Sequence, residues 1–439
     1  MPWRRSGGSW SSEMFLHIDI DSFFVSAERS RDPSLLGVPV AVGGRSNLEI
    51  FDPGRTRLRL MDRNDGAFVA PVFYGGRRRD FEERFVERTK EGQRKIRGIV
   101  TTSSYEARAR GVRTGMPLAQ ALRLCPELIV VPTDLLFYHR ISHALSRFLA
   151  RRIPRVEQFS IDEFFADLHG WVAGEEAEAF ARDLQAEIFG RFRIPVSIGI
   201  ARSKWTAKLA TGYAKPYGLY RVRELRDFIR EIPIGDFPGI GRGYRRRLEE
   251  RGVRTLGEVE ALQSLFESWG KPGRQLYRRI LGTDGEGIAE RPSRQSVGIS
   301  RTFDPLEDPA ELRRRIVILA RHVGYITMKL GANPTRYFLK IGYANGLRAK
   351  GSRRVERLFS ERLFKETMTE LFASIHLAGQ PAVKLTLSVS DFTHLHPRTL
   401  SLLELDKDRQ ARALGEKLHW IRERFGLDAI RTADELALF

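Results

Sequence analysis

Leu16, Ile18 and Ile20 alternate with His17, Asp19 and Asp21. This period of two predicts a β-strand with an apolar side on a core and an acidic side facing away. From Ser22 the period becomes helical, with Asp21 or Ser22 able to cap the first N–H groups. A second strand is expected over Pro39–Val42. Residues 45–98 then break the rhythm, joining an apolar segment (FVAPVFYGG) to a charged one (RRRDFEERFVERTKEGQRK) that reads as one amphipathic helix. We expect a partly ordered insertion there. Strand and helix patterns alternate again from GIVTTSSYEARARGV through the helix Leu135–Arg152, the strand around Asp162 and Glu163, IPVSIGIA and the helix SKWTAKLATGYAKP. That alternation indicates an α/β unit. From Leu225 the helical patterns shorten. The exposed linker AERPSRQSVGISRTFDP leads into a last portion with helices near 309–330 and 360–377 and strands TRYFLKIGYA and AVKLTLSVSDF. The expected fold class is therefore multidomain, α/β followed by α+β.

Composition sharpens this picture. The chain has 439 residues, enough for about three domains. Its 74 Lys and Arg outweigh 55 Asp and Glu, a net charge of +19. Such an excess favours a polyanionic partner, nucleic acid first; the competing explanation is an arginine-rich proteome. The single cysteine, Cys125, excludes an intramolecular disulfide and a cysteine-based zinc site. No apolar run is long enough to span a bilayer, and the basic leader MPWRRSGGSWSSE lacks the apolar stretch of a secretory signal. A cytoplasmic address is expected.

The chemistry gathers in two acidic stretches, LHIDIDSFF and SIDEFFADL. One carboxylate at a strand end more often caps a helix than binds a metal. Two acidic strands suit a pair of divalent ions about 3.5–4 Å apart, the arrangement that phosphoryl transfer uses. Alternation argues the other way for Asp162 and Glu163, since neighbours on a regular strand face opposite sides. Both reach one site only where the strand ends or is distorted. Further along, PGIG (Pro238–Gly241) between helical patterns, with a basic helix from Arg242, lets backbone N–H groups approach a phosphate. An ordinary glycine turn is the alternative. Arg348, Lys350, Arg353 and Arg354 form another basic patch.

Five segments, LHIDIDSFFVSAE, TTSSYEARARGV, SIDEFFADL, VSIGIARSKWTAKLATGYAKPYG and FPGIG, occur in the order found in Y-family DNA polymerases. The chain resembles their DNA polymerase IV branch, which copies past damaged template bases. The likeness covers residues 14–44 and 99–300 well and the C-terminal part in general pattern. It implies a right-hand polymerase, with palm at 14–36 and 129–224 and fingers at 37–128 including the insertion 45–98. A thumb with a helix-hairpin-helix would span 225–288, a linker 289–300 and a little finger 301–425, with a leader at 1–13 and a tail at 426–439. Carried over residue by residue, Asp19, Asp162 and Glu163 would be the catalytic and metal-binding carboxylates. The Ile20 carbonyl would complete the nucleotide-side metal. The cofactor would be two Mg²⁺ ions, with Mn²⁺ as the alternative. Phe24 would be the steric gate under the sugar, with Phe23 stacked nearby. Thr102, Tyr105, Arg108 and Lys215 would contact the incoming triphosphate, and Gly239, Gly241 and Arg242 would bind DNA. The C-terminal DELALF resembles a sliding-clamp peptide carrying Glu435 where glutamine is usual, with Leu436, Leu438 and Phe439 as apolar anchors.

The resemblance implies magnesium-dependent, template-directed DNA synthesis of low fidelity by a monomer that takes primer–template DNA and a dNTP. A catalytically silent DNA-binding relative is the alternative, although such relatives lose the carboxylates that are present here. A two-metal nuclease or cyclase would explain the carboxylates but not PGIG or the basic C-terminal portion.

Overall fold

The computed structural model of the chain describes residues 14–51, 80–88, 92–289, 294–394 and 399–436. The expected leader, the FVAPVFYGG segment, Leu438 and Phe439 lie outside them. The chain divides into two compact units, with boundaries at 44/45, 79/80 and 292/293.

In the first unit β1 (Phe15–Ile20) precedes α1 (Phe23–Arg31) and β2 (Val40–Gly44). The unit resumes with α2 (Phe81–Phe85), β3 (Val86–Arg88), β4 (Arg94–Ile96), β5 (Ile99–Ser103), α3 (Tyr105–Ala109), α4 (Leu118–Leu124) and β6 (Ile129–Pro132). Next come α5 (Leu135–Arg152), β7 (Arg155–Gln158), β8 (Glu163–Asp167), α6 (Ala177–Phe192), β9 (Val196–Ala201), α7 (Lys204–Ala214) and β10 (Leu219–Arg221). Four short helices close the unit: α8 (Leu225–Ile229), α9 (Arg242–Glu249), α10 (Gln263–Ser268) and α11 (Gly270–Ile280).

β1 is the middle strand of a sheet ordered β10-β9-β1-β8-β7 and runs antiparallel to both neighbours. Helices and strands alternate as expected, yet most of the pairing is antiparallel. Leu16, Ile18 and Ile20 share a face with Phe164, Ala166, Val196, Ile198 and Ile200, and these pack with apolar residues of α5 and α6. The opposite face carries His17, Asp19 and Glu163 and is covered by α7. A smaller sheet, β5-β2-β6, encloses its own core of Ala41, Phe85, Val100, Leu118 and Ala121. The terminal helices enclose a third, around Phe237, Leu248, Phe266 and Ile280.

Three expectations in this unit are corrected. Neither Asp21 nor Ser22 caps α1, because the Asp21 carboxylate is taken by Tyr105, Ser197 and the Tyr217 N–H. The charged stretch around residue 80 is not one long helix. It is a single turn of α2 followed by the β3–β4 hairpin: Phe85, once buried in the small core, ends the helix. The insertion is not wholly a part of the fingers either, since the chain leaves the first unit at Gly44 and returns at Asp80.

The second unit contains β11 (Ser296–Leu306), α12 (Pro309–Lys329), β12 (Pro334–Tyr343), β13 (Arg348–Arg354), α13 (Glu361–Ile375), β14 (Ala382–Phe392) and α14 (Leu405–Phe425). Its antiparallel sheet, β11-β14-β12-β13, packs one face on α12 and α13. Described insertion residues join this core, with Ile50 and Phe51 buried in it. β13 and α14 escaped the sequence reading because both are polar; β13 is an exposed edge, and α14 packs on α12 and α13 through few apolar residues.

Glu435 is also corrected: it is not in a free terminal peptide. Its carboxylate is buried and accepts 2.7 Å hydrogen bonds from Arg321 Nε and Lys365 Nζ, both buried cations. Burying those two cations requires a counter-charge, and the tail supplies it. The two cations hold the Glu435 pKa below the usual glutamate range although burial opposes them. Glu435→Gln should therefore cost about 3 kcal/mol of stability at neutral pH, read as a lower denaturant midpoint for this unit. A depressed carboxylate pKa stabilises above the unfolded value and loses that contribution as pH falls through the folded one. The gap between wild type and variant should thus close in acid; an equal midpoint at neutral pH would remove the ion pair from the stability argument.

Candidate active site

Asp19 and Glu163 are direct cross-strand partners in the β1–β8 register, so their side chains rise on the same face of the sheet. Asp162 precedes the strand. It lies in the β7–β8 turn, where the Ser160 hydroxyl accepts the Asp162 and Glu163 N–H groups. This resolves the conflict with alternation: the adjacent carboxylates converge because only Glu163 belongs to the strand.

Three carboxylates side by side need positive charge, and α7 brings it. Ser203 caps that helix, and Lys204, Lys208, Thr211 and Lys215 follow at spacings of four, three and four, which is one helical face. Lys215 Nζ lies 2.6 Å from Asp19 Oδ1. Lys208 pairs with Glu163, and Lys204 is 2.6 Å from the buried Glu157. Thr211 Oγ1 is 2.9 Å from His17 Nδ1. The His17 Nε2 atom lies 3.6 Å from Glu163 and has no hydrogen-bond partner. Burial and the three lysines push the His17 pKa well below its ordinary value, so the ring is neutral.

The carboxylates still lack charge. Burial, opposed by Lys215 and assisted by Glu163 and Asp162, raises Asp19 to about 7. Burial also raises Asp162. Buried oxygen donors whose charged forms are penalised despite Lys215 fit a divalent cation. Among the described residues no group of three or more His, Cys, Asp or Glu side chains is gathered as a ready metal cage; Asp19 and Glu163 bend toward their lysines instead.

Asp21 has a different task. It accepts hydrogen bonds from Tyr105 Oη at 3.0 Å, Ser197 Oγ at 2.8 Å and the Tyr217 backbone N–H at 2.7 Å. It thereby fastens β1 to α3, β9 and the turn that carries Lys215. Burial of the Tyr105 hydroxyl, assisted by the Asp21 carboxylate beside it, raises its pKa and keeps it protonated. The Arg108 guanidinium lies 4.9 Å from the Tyr105 ring centre. Thr102 is half-buried on β5, the strand that feeds α3. Ile20 ends β1, and its N–H donates to the Asp162 carbonyl. Phe23 is buried in the core, whereas Phe24 is half-buried and stacks on Tyr138 at 4.4 Å. Asp19, Asp162, Glu163 and Lys215 are thus brought together, with Tyr105 beside them through Asp21. Sequence reasoning missed Lys208, His17, Ser197 and the role of Asp21; the spacing of the lysines on α7 was the available signal.

Two basic surfaces lie elsewhere. Gly239 has φ +105°, a conformation that excludes a side chain with a Cβ. Gly241 then begins α9 without a side-chain cap, and Arg242, Arg245, Arg246 and Arg247 follow. In the second unit Arg336 pairs with Arg354, and Lys340 with Lys350, across β12–β13. Like charges placed opposite one another oppose sheet formation, and Asp391 offsets one of them by pairing with Arg336. Arg353 departs from the expected patch, pairing with Glu370 on the helix side.

Models of the impB/mucB/samB family and its C-terminal domain match residues 67–212 and 294–402. DNA polymerase IV of Methanoculleus marisnigri is 32% identical over 317 residues, covering 71% of this chain and 76% of the relative. The chain belongs to the Y family of DNA polymerases. DNA polymerase IV of Yersinia pseudotuberculosis is 29% identical over 293 residues, or 66% of this chain and 70% of that one. A Y-family chimera of Dbh and Dpo4 shares the fold with TM-score 0.67 at 22% identity, covering 86% of this chain and 99% of its own. A ternary complex of Dbh polymerase with the same coverages and identity has TM-score 0.55. The Y-family fold comprises palm, fingers, thumb and little finger, and the family's C-terminal-domain model matches within the second unit.

The seat of α7 depends on Gly199. A Cβ built there meets the Ala207 carbonyl at 2.1 Å and the Thr211 N at 2.6 Å, both rigid helix backbone. Gly199→Ala should lift α7 from the sheet and destabilise the first unit by about 1–3 kcal/mol or more, measured by denaturant unfolding; an unchanged midpoint would mean that the helix can slide at no cost.

Proposed function

We propose that this chain is a DNA-directed DNA polymerase of the translesion class, transferring a nucleotide from a dNTP to a primer 3′-hydroxyl. The observation that carries the reading is the Asp19–Glu163 cross-strand pair with Asp162 in the adjoining turn, in a member of the Y family. Asp19, Asp162 and Glu163, with the Ile20 carbonyl, would hold two divalent ions, Mg²⁺ or Mn²⁺. Bound there, the ions supply charge stabilisation for the attacking 3′-oxygen and the departing pyrophosphate.

The chain's own residues do the rest. Lys215 neutralises Asp19 in the free protein and turns to the phosphates when a nucleotide enters. Arg108, Tyr105 and Thr102 supply a cation and hydroxyls for the same triphosphate. Phe24, braced by Tyr138, stands under the sugar and excludes a 2′-hydroxyl. Gly239, Gly241 and Arg242 in the thumb and the basic little-finger face track duplex phosphates without reading sequence. Presence of all three carboxylates argues against the silent accessory. We further propose that the protein acts as a monomer and that its extreme C-terminus docks on a sliding clamp. Glu435 anchors the tail, and Leu436, half exposed, begins the docking peptide that Leu438 and Phe439 complete.

Primer extension with Mg²⁺ and four dNTPs tests the central reading. Wild type should extend the primer and Asp162→Ala should lose more than about a hundredfold in rate while still binding primer–template. Binding without extension by either protein would move the assignment to the accessory. For the tail, deleting residues 437–439 should abolish stimulation by a clamp and leave basal extension unchanged; equal stimulation of both proteins would refute clamp docking.

A further inference from the structure

The fingers of this chain are interrupted where a short connection would join β2 to β5, and the first described residues of the interruption are built into the other unit. Asn47 Oδ1 accepts the Glu49 N–H, starting a 3₁₀ turn over Glu49–Phe51. That turn delivers Ile50 and Phe51 into the little-finger core, with Leu48 packed beside them. The Phe51 ring meets Phe303 edge to face at 6.4 Å. The Arg315 guanidinium lies 4.8 Å from the centres of both rings.

The backbone of the segment is fastened as well. Ser46 Oγ accepts the Thr302 N–H at 3.1 Å, satisfying a donor on the exposed edge of β11, which otherwise invites pairing with another strand. Arg301 Nε donates to the Asn47 carbonyl at 3.2 Å. Arg314 Nη1 donates to the Phe51 carbonyl at 3.2 Å and to the Glu435 carbonyl at 3.3 Å. One side chain of α12 therefore clasps both the inserted segment and the C-terminal tail.

We propose that residues 46–51 are a second tether for the little finger. The domain binds a segment that belongs, by chain connectivity, to the fingers. It is thus joined to the body of the polymerase at 44/45 and 79/80 as well as through the linker at 292/293. Severing the linker would leave the domain attached, and releasing it would require Ile50 and Phe51 to leave its core. The tether is independent of the catalytic reading.

Disulfide trapping in the full-length chain tests this. Ser46→Cys with Thr302→Cys places thiols at the observed contact; Cys125 is buried elsewhere. A protease site replacing residues 290–293 allows the linker to be cut afterwards. After mild oxidation and cutting, the two fragments should migrate as one species and separate only on reduction. The control pair, Ser46→Cys with Arg353→Cys on the opposite edge strand, should cross-link about tenfold or more slowly. Adding Phe51→Asp to the first pair should slow its cross-linking to the control rate. Fragments that separate without reductant, equal rates for the two pairs, or a rate unaffected by Phe51→Asp would each overturn the tether.

Discussion

Asp19, Asp162 and Glu163 crowd at one end of a sheet, where burial makes the first two resist ionisation, and much of the first unit answers that problem. β1 must lie between β8 and β9 for Asp19 to oppose Glu163. The β7–β8 turn must be held by Ser160 for Asp162 to join them. α7 must lie close enough to present Lys208 and Lys215, and Gly199 removes the one side chain that would prevent it. Even so, burial raises the Asp19 pKa to about 7. The site remains short of positive charge, which is the electrostatic condition under which divalent ions bind to oxygen ligands. Asp21, two residues from Asp19, is spared this role because its oxygens are consumed in fastening strand, helix and turn.

The same balance has the opposite sign at the surface. Arginines follow one another along α9, and Lys and Arg oppose Lys and Arg across β12 and β13. Local carboxylates offset part of this charge, since Arg245 pairs with Glu249, Arg246 with Glu250 and Arg336 with Asp391. Within the second unit other cations meet carboxylates locally: Arg353 meets Glu370, Arg321 meets Glu435 and Asp428, and Lys365 meets Glu435 and Glu361.

The insertion changes how this scheme is assembled. In a hand-shaped polymerase joined by one linker, the little finger's range is set by linker length. Here Ile50 and Phe51 complete that domain's own core, and the inserted segment adds two chain crossings, at 44/45 and 79/80, to the one at 292/293. The cost is borne by the fingers: their strands β2 and β5 still pair, but the connection between them is routed through a different domain.

The strand–helix rhythm, the three metal-binding candidates and their family were legible in the amino-acid order, because each rests on local periodicity or on ordered short motifs. That order placed α5, α12 and α13 nearly to the residue, since long amphipathic helices announce their buried face. Where neighbouring charges point was legible only in the folded chain. Whether Asp162 and Glu163 converge depends on where β8 begins, and whether Asp21 joins them depends on Ser197 and Tyr217 from distant segments. Glu435 looked free because nothing local occupies it; its partners lie on α12 and α13, 114 and 70 residues away. The fate of SNLEIF is the same lesson: its apolar residues announce burial, but the core that buries them is formed by residues some 250 positions later. Pairings across such separations carry no periodic signal, and folding alone brings their partners together.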